Sequence, residues 1–447
     1  MSTLPTSVVN GNRPLALEYL PPASLRGYAR NARTHTRKQV RQIADSIREF
    51  GFTNPILADE AVEIIAGHGR LEAAKLLHLD TVPVIRLTGL TDAQKRALRL
   101  ADNKIALNAG WDPEILTAEI EFLTSIDFDL DLTAFEAGEI DVLLDGQDGP
   151  SKGDTTPETN PEIPGVTRSG DIWLLERHRL ICGDATSADD FARLMAGETA
   201  RMVFTDPPYN VPIDGHVCGQ GAIKHREFVM ASGEMSEAEF IAFLVTILSL
   251  LRTHSVDGAI HFICMDWRHS FELQTAARAV GLELKNICVW NKSNAGLGSM
   301  YRNKHELVFV FKSGTAPHVN NFELGQWGRH RSNVWDYAGV NSLKADRMAE
   351  LRMHPTVKPV ALVADATKDC SKRGDIVLDP FAGSGTTIIA TEQTGRRAFA
   401  MEIDPLYVDT AVRRWQAFSG EDAVHAETGR TFAETAAERG INLPEEA

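Results

Sequence analysis

The sequence Asp-Pro-Pro-Tyr at positions 206–209 combines residue types that suit chemistry on an amine. Proline fixes the backbone and has no N–H donor, so the two prolines leave carbonyl groups free to accept hydrogen bonds beside the carboxylate of Asp206. Two such acceptors can hold the hydrogens of an exocyclic base amine and localise its lone pair for direct attack on an activated methyl group. Tyr209 offers a face on which a base swung out of a duplex can stack. Taken alone, the tetrapeptide is equally typical of a rigid turn after a strand.

A second motif runs from Ile376 to Thr387 and joins a short apolar run to the sequence Gly-Ser-Gly-Thr-Thr. Glycines after a strand let a ligand approach the backbone where a helix begins, and an acid about 20 residues further on can bind ribose hydroxyls. Glu402 stands at that position. The motif lacks the lysine of a phosphate-binding P-loop, so ATP hydrolysis is not expected. A dinucleotide site is the alternative for this motif alone, although Asp379 with the Pro-Phe that follows better suits a zwitterionic ligand with an ammonium group.

Both motifs depend on a scaffold that residues 169–420 predict. Short runs rich in Val, Ile and Phe alternate with helical stretches, which is the pattern of an α/β fold with a doubly wound parallel sheet. The predicted strands are 179–182, 201–204, 259–264, 287–290, 307–311, 376–378 and 398–401. The predicted helices are 188–195, 237–252, 271–280, 359–370, 385–394 and 406–418. Ligands of such sheets bind at the carboxyl ends of the strands, where both motifs lie, and this position favours an active site over a turn.

Residues 146–168 and 421–447 differ in composition from this scaffold. The first segment is rich in Gly, Pro, Thr and acids and almost free of large apolar groups, so we predict a flexible acidic linker there. We interpret residues 421–447 as an acidic tail. Two domains separated by a linker agree with a length of 447 residues, which exceeds the usual size of one hydrophobic core.

The sequence also excludes several classes of protein. The longest apolar run, at 241–251, is shorter than the roughly 20 residues that a membrane span needs. The first residues lack a basic segment followed by an apolar stretch, so no secretory signal is predicted and a cytoplasmic protein is expected. The five cysteines are scattered without a C-x-x-C pair, which argues against a disulfide framework and against a metal site.

The charge is unevenly distributed along the chain. A formal net charge of −15 is unusual for a protein that binds nucleic acid, because phosphate contacts come from clustered Lys and Arg. Every charged residue from 21 to 44 is basic, however, whereas acids accumulate in the linker and in the tail. The acidity can therefore lie away from a surface that faces DNA.

The two motifs, in this order, resemble the amino-methyltransferases of bacterial restriction-modification systems and prophages, in the group whose catalytic motif precedes the cofactor motif. The resemblance covers roughly residues 170–417. It implies a Rossmann-like sheet that binds S-adenosylmethionine and a transfer of its methyl group to a base amine of double-stranded DNA. Aspartate at the first motif position favours N6 of adenine. N4 of cytosine remains an alternative, as does a ParB-type DNA-binding regulator with an inactive methyltransferase half. Family analogy also suggests a homodimer.

The resemblance assigns roles to single residues. The catalytic set, which would hold the target base, is Asp206, Pro207, Pro208 and Tyr209. The set expected on the methionine side of the cofactor is Asp379, Phe381, Gly383 and Gly385, with Glu402 on the ribose, and Thr386 is a further cofactor-binding candidate. Asp184 follows Gly183 in a short motif similar to one of the family and would contact the cofactor's adenine. The segment His-Pro-Thr-Val-Lys-Pro at 354–359 resembles another family segment, in which Thr356 and Lys358 would help to close the methionine end.

Residues 313–352 predict a target-recognition region, although an ordinary surface insertion is the alternative. The segment mixes cations that can hold phosphates with groups that can contact bases, and its DNA-binding candidates are Arg329, Arg331 and Lys344. Residues 290–292 and 301–306 resemble family segments around the target-base pocket. Arg302 is a further DNA-binding candidate there, while His305 can equally be an ordinary histidine.

Residues 1–145 predict a smaller α+β domain with a helical extension. The predicted helices are 37–50, 70–77, 92–107 and 112–123, and the predicted strands are 55–57, 63–65 and 82–87. Between residues 17 and 89 the chain resembles the ParB-like nuclease superfamily domain, through Asn-Ala-Arg at 31–33 and the sequence from Ile64 to Arg70.

The loop before the second helix departs from its counterpart in partition proteins, which serves nucleotide binding. Here His68 and Gly69 replace the middle of that loop, so neither CTP binding nor nuclease activity is expected. We favour a catalytically silent module that docks DNA or acts as a scaffold. Arg33 and Arg70 are its DNA-binding candidates.

Overall fold

A computed structural model describes residues 15–145, 165–211, 233–293, 300–322, 330–337 and 358–443. The contacts divide the chain into unit 1, residues 1–136, and unit 2, residues 137–447. The division falls ahead of the predicted linker, of which residues 146–164 lie outside the described ranges. Among the described helices, none is both long enough and apolar enough to cross a membrane.

Unit 1 is an α+β domain built on a four-stranded sheet. Its strands are β1 (Leu17–Leu20), β2 (Ile56–Ala58), β3 (Ile64–Ala66) and β4 (Val82–Arg86), and its helices are α1 (Arg37–Phe50), α2 (His68–Leu76), α3 (Asp92–Leu107) and α4 (Pro113–Ser125). The strand order is β1-β4-β2-β3, with β2 parallel to β4 and the other pairs antiparallel. Ile56, Ile64 and Val84 of the sheet pack against Leu71 of α2. The smaller α+β domain predicted from the sequence is therefore confirmed, with β1 as an additional strand.

Unit 2 is built on a sheet of ten described strands. These are β5 (Ile172–Leu175), β6 (His178–Cys182), β7 (Ala200–Thr205), β8 (Ser255–Met265), β9 (Glu283–Asn291), β10 (His305–Lys312), β11 (Val334–Asp336), β12 (Ile376–Asp379), β13 (Arg397–Glu402) and β14 (Val424–His425). Their order is β11-β9-β10-β8-β7-β12-β13-β6-β5-β14. The central run from β8 to β6 is parallel throughout.

The helices of unit 2 cover both faces of this sheet. They are α5 (Ala137–Asp145), α6 (Ala188–Met195), α7 (Glu237–Thr253), α8 (Ser270–Ala279), α9 (Val360–Cys370), α10 (Thr386–Thr394), α11 (Pro405–Ser419) and α12 (Phe432–Glu438). On one face α6, α7 and α8 bury Phe191, Leu244 and Leu273. Helices from the second half of the unit bury Leu362 and Trp415 in clusters with the other alternating side chains of the sheet. The doubly wound α/β fold is confirmed.

The edges of the sheet differ from the wholly parallel arrangement that the alternation predicted. Strand β10 is antiparallel to both β8 and β9, and β5 and β14 form antiparallel pairs at the other edge. Strands β5 and β6 are separated only by Glu176 and Arg177, and a two-residue turn joins antiparallel neighbours whereas a parallel pair needs a long crossover. The sheet is therefore mixed.

The chain after α11 folds onto unit 2, which differs from the acidic tail predicted for 421–447. Thr431 caps α12 and shares a capping box with Glu434. Phe432 and Ala436, four residues apart, are buried, and the Phe432 ring lies 5.1 Å from the ring of Trp173. These apolar side chains on one helix face stabilise the segment in spite of its acidic composition.

Helix α5 is attached to unit 2 by a buried ion pair. Both carboxylate oxygens of Asp141 accept hydrogen bonds from the Arg396 guanidinium, each at 2.8 Å. Asp141 is 1% exposed and Arg396 is fully buried. The same guanidinium donates to the carbonyl oxygens of Ser371 and Thr394, so its charge is compensated on several sides.

His261 of β8 is predicted to weaken the fold in acid. Its side chain is fully buried, neither ring nitrogen has a hydrogen-bond partner in the described part of the chain, and burial lowers its pKa to about 3. The unfolded chain binds a proton there below about pH 6.5, so this group destabilises the folded state progressively as the pH falls from 6.5 towards 3. His261→Leu should therefore add about 2 kcal/mol more stability at pH 5 than at pH 7.5.

Urea unfolding of both proteins at the two pH values measures this difference. The exposed His305 offers a matched control, since His305→Leu removes no buried imidazole. An equal gain for His261→Leu at pH 5 and pH 7.5 would contradict the prediction.

Candidate active site

The carboxyl ends of four adjacent parallel strands bring together acids that the sequence analysis singled out. In the order β7-β12-β13-β6, these ends carry Asp206, Asp379, Glu402 and Asp184. Asp206 directly follows β7, and Asp184 follows β6 after one intervening residue. Asp379 and Glu402 are the last residues of β12 and β13. Residues far apart in sequence are thus placed along one edge of the sheet.

Asp206 is held by two donors. The Tyr209 hydroxyl donates to one carboxylate oxygen, and Nζ of Lys358 lies 2.6 Å from the other. The loop is fixed at its end by Asn210, which has a φ of 54° and whose side chain bonds the backbone of Gly233 and Met235. Since proline removes backbone donors at the two positions in between, the loop is rigid and rich in acceptors.

Lys358 belongs to a chain of alternating charges. Its buried Nζ lies 2.9 Å from a carboxylate oxygen of Glu306 at the start of β10, and Lys292 pairs with the other oxygen of Glu306. The sequence of charges from Lys292 through Glu306 and Lys358 to Asp206 is therefore neutral in sum. Lys358 joins the two acids, which lie on different strands.

The pKa values of this cluster follow from burial and from its pairing. Burial would raise the pKa of Glu306, but Lys358 and Lys292 lower it to about 2. Burial would lower the pKa of Lys358, but Asp206 and Glu306 raise it above its ordinary value. For Asp206 burial is the largest influence and raises the pKa, although Lys358 opposes this. Glu306 and Lys358 are consequently both charged at neutral pH, and Asp206 is the more readily protonated of the two acids.

Asp379 is tied into the protein itself. Its carboxylate accepts from the hydroxyls of Thr205 at 2.9 Å and Thr387 at 2.6 Å and from the backbone N–H of Phe381. Burial raises its pKa to about 6. These bonds connect the end of β7 to the loop between β12 and α10, so a ligand ammonium would have to share the carboxylate with three donors of the chain.

The glycine-rich loop approaches Glu402 through its backbone. Gly383 has a φ of 52°, and its N–H donates to the Glu402 carboxylate at 2.9 Å. The other oxygen of Glu402 accepts from the N–H of Asp404 at 3.0 Å, and burial raises the pKa of Glu402 to about 7. Gly385 has a φ of 83°, and a Cβ there would lie 2.8 Å from that of Ala411, so only glycine lets α10 begin this close to α11.

Two further cofactor candidates, Asp184 and Thr386, accept hydrogen bonds from other residues of the chain. Asp184 accepts hydrogen bonds from the backbone N–H and the hydroxyl of Thr186, both at 2.8 Å. The hydroxyl of Thr386 accepts from the Arg414 guanidinium at 3.2 Å. Thr356 lies outside the described residues.

Of the DNA-binding candidates in unit 2, the structure describes Arg302 and Arg331. Arg331 was expected on DNA, but its guanidinium donates to Asp369 at 2.9 Å and to the hydroxyl of Tyr337 at 3.0 Å, so it is neutralised within unit 2. Arg302 is exposed between β9 and β10. Arg329 and Lys344 fall outside the described ranges, as does most of 313–352.

The two candidates in unit 1 stand on separate loops and helices. Arg70 lies near the start of α2 and donates to the carbonyl oxygen of Asn54 at 2.8 Å. Arg33 lies in a turn in which its backbone N–H donates to the Asn31 side chain. None of the contacts that the structure describes joins Arg33 to Arg70.

Sequence reasoning missed Glu306 as a member of the site. The segment that contains it was noted, but attention went to the exposed His305. The sequence did contain a signal for Glu306, because an acid near the start of an apolar strand needs a cation as its partner if that strand is central in the sheet. Its partners Lys292 and Lys358 come from other elements, which only the fold brings together.

Family models match three consecutive parts of the chain. A ParB N-terminal domain model matches residues 10–104, a ParB-methyltransferase HTH domain model matches 114–169, and a DNA methylase model matches 200–413. The second match covers the segment that was predicted to be a linker, most of which the structure does not describe.

Relatives of known sequence resemble the two parts of the chain separately. The ParB-like nuclease domain-containing protein YnaK of Escherichia coli K12 is 57% identical over 82 residues, which are 18% of this chain and 94% of that protein. The type II methyltransferase M.HpaI of Haemophilus parainfluenzae is 25% identical over 262 residues, which are 55% of this chain and 77% of that protein.

A solved structure, the M1.HpyAVI-SAM complex, is 20% identical with a TM-score of 0.39 and covers 53% of this chain and 97% of its own. The DNA methylase match at 200–413 contains both motifs. Residues 200–413 therefore form a DNA methylase domain of the family that methylates an exocyclic adenine or cytosine amine, and a ParB N-terminal domain precedes it at residues 10–104.

Proposed function

We propose that the protein transfers the methyl group of S-adenosylmethionine to N6 of adenine in double-stranded DNA. The observation that carries this proposal is the geometry of Asp206, a largely buried carboxylate that Tyr209 and Lys358 orient at the end of β7. The acceptor-rich proline loop lies beside it. The glycine-rich loop, one strand away, and Glu402, two strands away, support a nucleoside ligand at the same edge of the sheet.

The cofactor supplies an electrophilic methyl group on a sulfonium. The residues of the chain prepare the nitrogen that attacks it. The carboxylate of Asp206 and the carbonyl oxygen of Pro207 accept the two amine hydrogens, which keeps the lone pair on nitrogen rather than in the ring. On accepting the methyl group from the sulfonium, whose S–C bond would break, the nitrogen would become cationic and would have to lose a proton. Asp206 is the nearest base, and the raised pKa that burial gives it favours proton uptake.

Lys358 holds Asp206 in place and keeps it ionised until the amine arrives. Glu306 in turn holds Lys358, so that the lysine charge stays compensated when the proton moves to Asp206. The hydrogen bond from Tyr209 to Asp206 keeps the tyrosine ring beside this carboxylate, where the ring can stack on an extruded base. The choice of adenine rather than cytosine as the proposed target base rests on the aspartate at the first motif position.

The experiment is an assay with labelled S-adenosylmethionine and several duplex DNAs, followed by mass analysis of the digested nucleosides. N6-methyladenine is the expected product. If N4-methylcytosine is found instead, the target base is cytosine rather than adenine. Absence of label from every DNA would overturn the proposal in favour of a DNA-binding regulator. Single-molecule sequencing of DNA from expressing cells then gives the recognition sequence.

Binding of the cofactor is predicted to weaken below about pH 7. Burial raises the pKa of Glu402 to about 7, and its carboxylate form is the better acceptor for ribose hydroxyls, so affinity should fall as the pH drops through this value. Glu402→Gln should lower the affinity by about 10- to 100-fold at pH 8 and remove the pH dependence. Calorimetric titration between pH 6 and pH 8.5 measures both effects.

The exposed Glu198 provides a control for this prediction. Glu198→Gln should leave the affinity and its pH dependence as they are. A Glu402→Gln variant that binds as tightly as the original protein would show that Glu402 does not hold the ribose.

For unit 1 we propose a DNA-docking or scaffold role without CTP binding. The loop that serves nucleotide binding in partition proteins is occupied by contacts of the chain itself. The backbone N–H of Tyr28 donates to the His68 ring at 3.2 Å, and burial lowers the pKa of His68. A Cβ on Gly69 would lie 2.9 Å from the Ile43 side chain. Calorimetric titration with CTP should give no heat of binding, and binding in the micromolar range would contradict this role.

A further inference from the structure

The segment that leads into β10 exposes two large apolar side chains side by side. Met300 is 84% exposed and Tyr301 is 78% exposed, and both values exceed those of the other large apolar residues that the structure describes. Scattered exposed apolar residues are common, but adjacent ones at a loop indicate a surface that contacts a partner.

The position of this segment ties it to the candidate active site. The backbone N–H of Lys292 donates to the carbonyl oxygen of Lys304 at 2.8 Å, which closes β9 and β10 as a ladder beside the site. Glu306, two residues further along, contacts Lys358 and through it Asp206. Tyr301 precedes Glu306 by five residues, so their Cα atoms lie at most about 18 Å apart even in extended chain.

The charge around Tyr301 suits the backbone of DNA. Residues 300–305 contain Arg302, Lys304 and His305 and no acid, in a chain with a formal net charge of −15. Arg302 and Lys304 are exposed. Exposed cations that directly follow an exposed aromatic residue complement the phosphates beside a base step.

Resting on the proposed function, we propose that Tyr301 enters the DNA duplex beside the target base pair and fills the space that the extruded base leaves, while Arg302 and Lys304 contact the flanking phosphates. A base that is methylated on its exocyclic amine must leave the stack, and unstacking is unfavourable unless something replaces the lost contacts. Apolar or aromatic side chains inserted between base steps supply such contacts. Tyr301 acts on the duplex, whereas Tyr209 stacks on the extruded base.

The test compares the full chain with its Tyr301→Ala variant on two forms of the sequence that the protein modifies. One is the paired duplex, and the other carries an abasic site opposite the target base, so that extrusion is already eased. On the paired duplex Tyr301→Ala should lower kcat/KM by about 10- to 100-fold. On the abasic duplex its kcat/KM should lie within about threefold of that of the original protein. Tyr301→Phe should retain activity on both.

A second readout follows extrusion itself. A duplex with 2-aminopurine at the target position should become brighter with the original protein and with Tyr301→Phe, and not with Tyr301→Ala at saturating protein. Phe271→Ala is the matched control, because Phe271 is an exposed aromatic residue on α8 of the same unit. It should change neither readout.

Two outcomes would overturn the inference. The first is an unchanged kcat/KM of Tyr301→Ala on the paired duplex. The second is an equal loss on the paired and abasic duplexes, which would indicate a general DNA contact rather than an inserted side chain. A failure of the proposed function is distinguishable, since the original protein would then transfer no methyl group to either duplex.

Discussion

Replacement of Asp206 by alanine is expected to lower the rate of methyl transfer by about 10²- to 10⁴-fold. The substitution removes the carboxylate that we propose accepts an amine hydrogen and later the proton, while Lys358 keeps Glu306 as its partner. Binding of S-adenosylmethionine should change little, because Glu402 and the glycine-rich loop lie on other strands. Single-turnover rates with labelled cofactor, together with calorimetric titration, separate the two effects.

Asp189→Ala is the control, since Asp189 is an exposed acid in the first turn of α6. Lys358→Met gives a second test of the same network. Without the lysine charge the pKa of Asp206 rises further, so this variant should be weak at pH 7 and recover in part at higher pH. If Asp206→Ala keeps more than about a tenth of the original rate, Asp206 is not the acceptor of the amine proton.

Replacement of Asp141 by alanine is expected to destabilise unit 2 by about 3–5 kcal/mol. The change leaves the fully buried Arg396 with two carbonyl oxygens and no carboxylate, and an uncompensated charge in the interior is strongly unfavourable. Chemical denaturation followed by tryptophan fluorescence measures the loss.

The pair between Glu198 and Arg397 is the matched control, because it has a 2.6 Å contact but lies at the surface. Glu198→Ala should lower stability by less than about 1 kcal/mol. Equal effects of the two substitutions would mean that the Asp141 pair contributes no more than a surface contact. Asp141→Asn keeps the shape without the charge and should fall between the two.

Much of the scaffold could be predicted because local signals are strong. Helices 37–50, 92–107 and 188–195 were predicted with the bounds that the structure has. Each begins after a Ser or Thr whose side chain caps the first turn, namely Thr36, Thr91 and Ser187. The central strands are continuous apolar runs, as expected when both faces of a parallel sheet are covered.

The pairing of the outer strands could not be predicted in this way. An apolar run reveals that a strand is buried but not which neighbour it bonds, so the antiparallel placement of β10 between β8 and β9 was missed. Strand β14 and helix α12 were missed because the acidic composition of residues 421–447 outweighed the two apolar positions, Phe432 and Ala436.

The residues of the predicted site likewise divide into those that local sequence signals indicate and those whose contacts only the fold determines. Asp206, Asp379 and Glu402 were singled out because each lies at or directly after the end of a strand within a motif. Arg331 was assigned to DNA from its charge alone, and its actual partners Asp369 and Tyr337 are brought to it by the fold. Glu306 could have been noticed as an acid at the start of an apolar strand, but its partner Lys358 stands 52 residues later in the sequence, and no local pattern encodes their contact.

Helix α5 has a consequence for the construction of chimaeras. The HTH family match extends over 114–169, yet α5 lies within that range and is held by Arg396 of the methylase domain. When the amino-terminal part is exchanged between relatives, the junction should therefore lie after Glu136 rather than near residue 146, where the composition changes. A junction at the later point would bring in a foreign α5, and the new helix would fit only if it supplied an acid where Asp141 now stands.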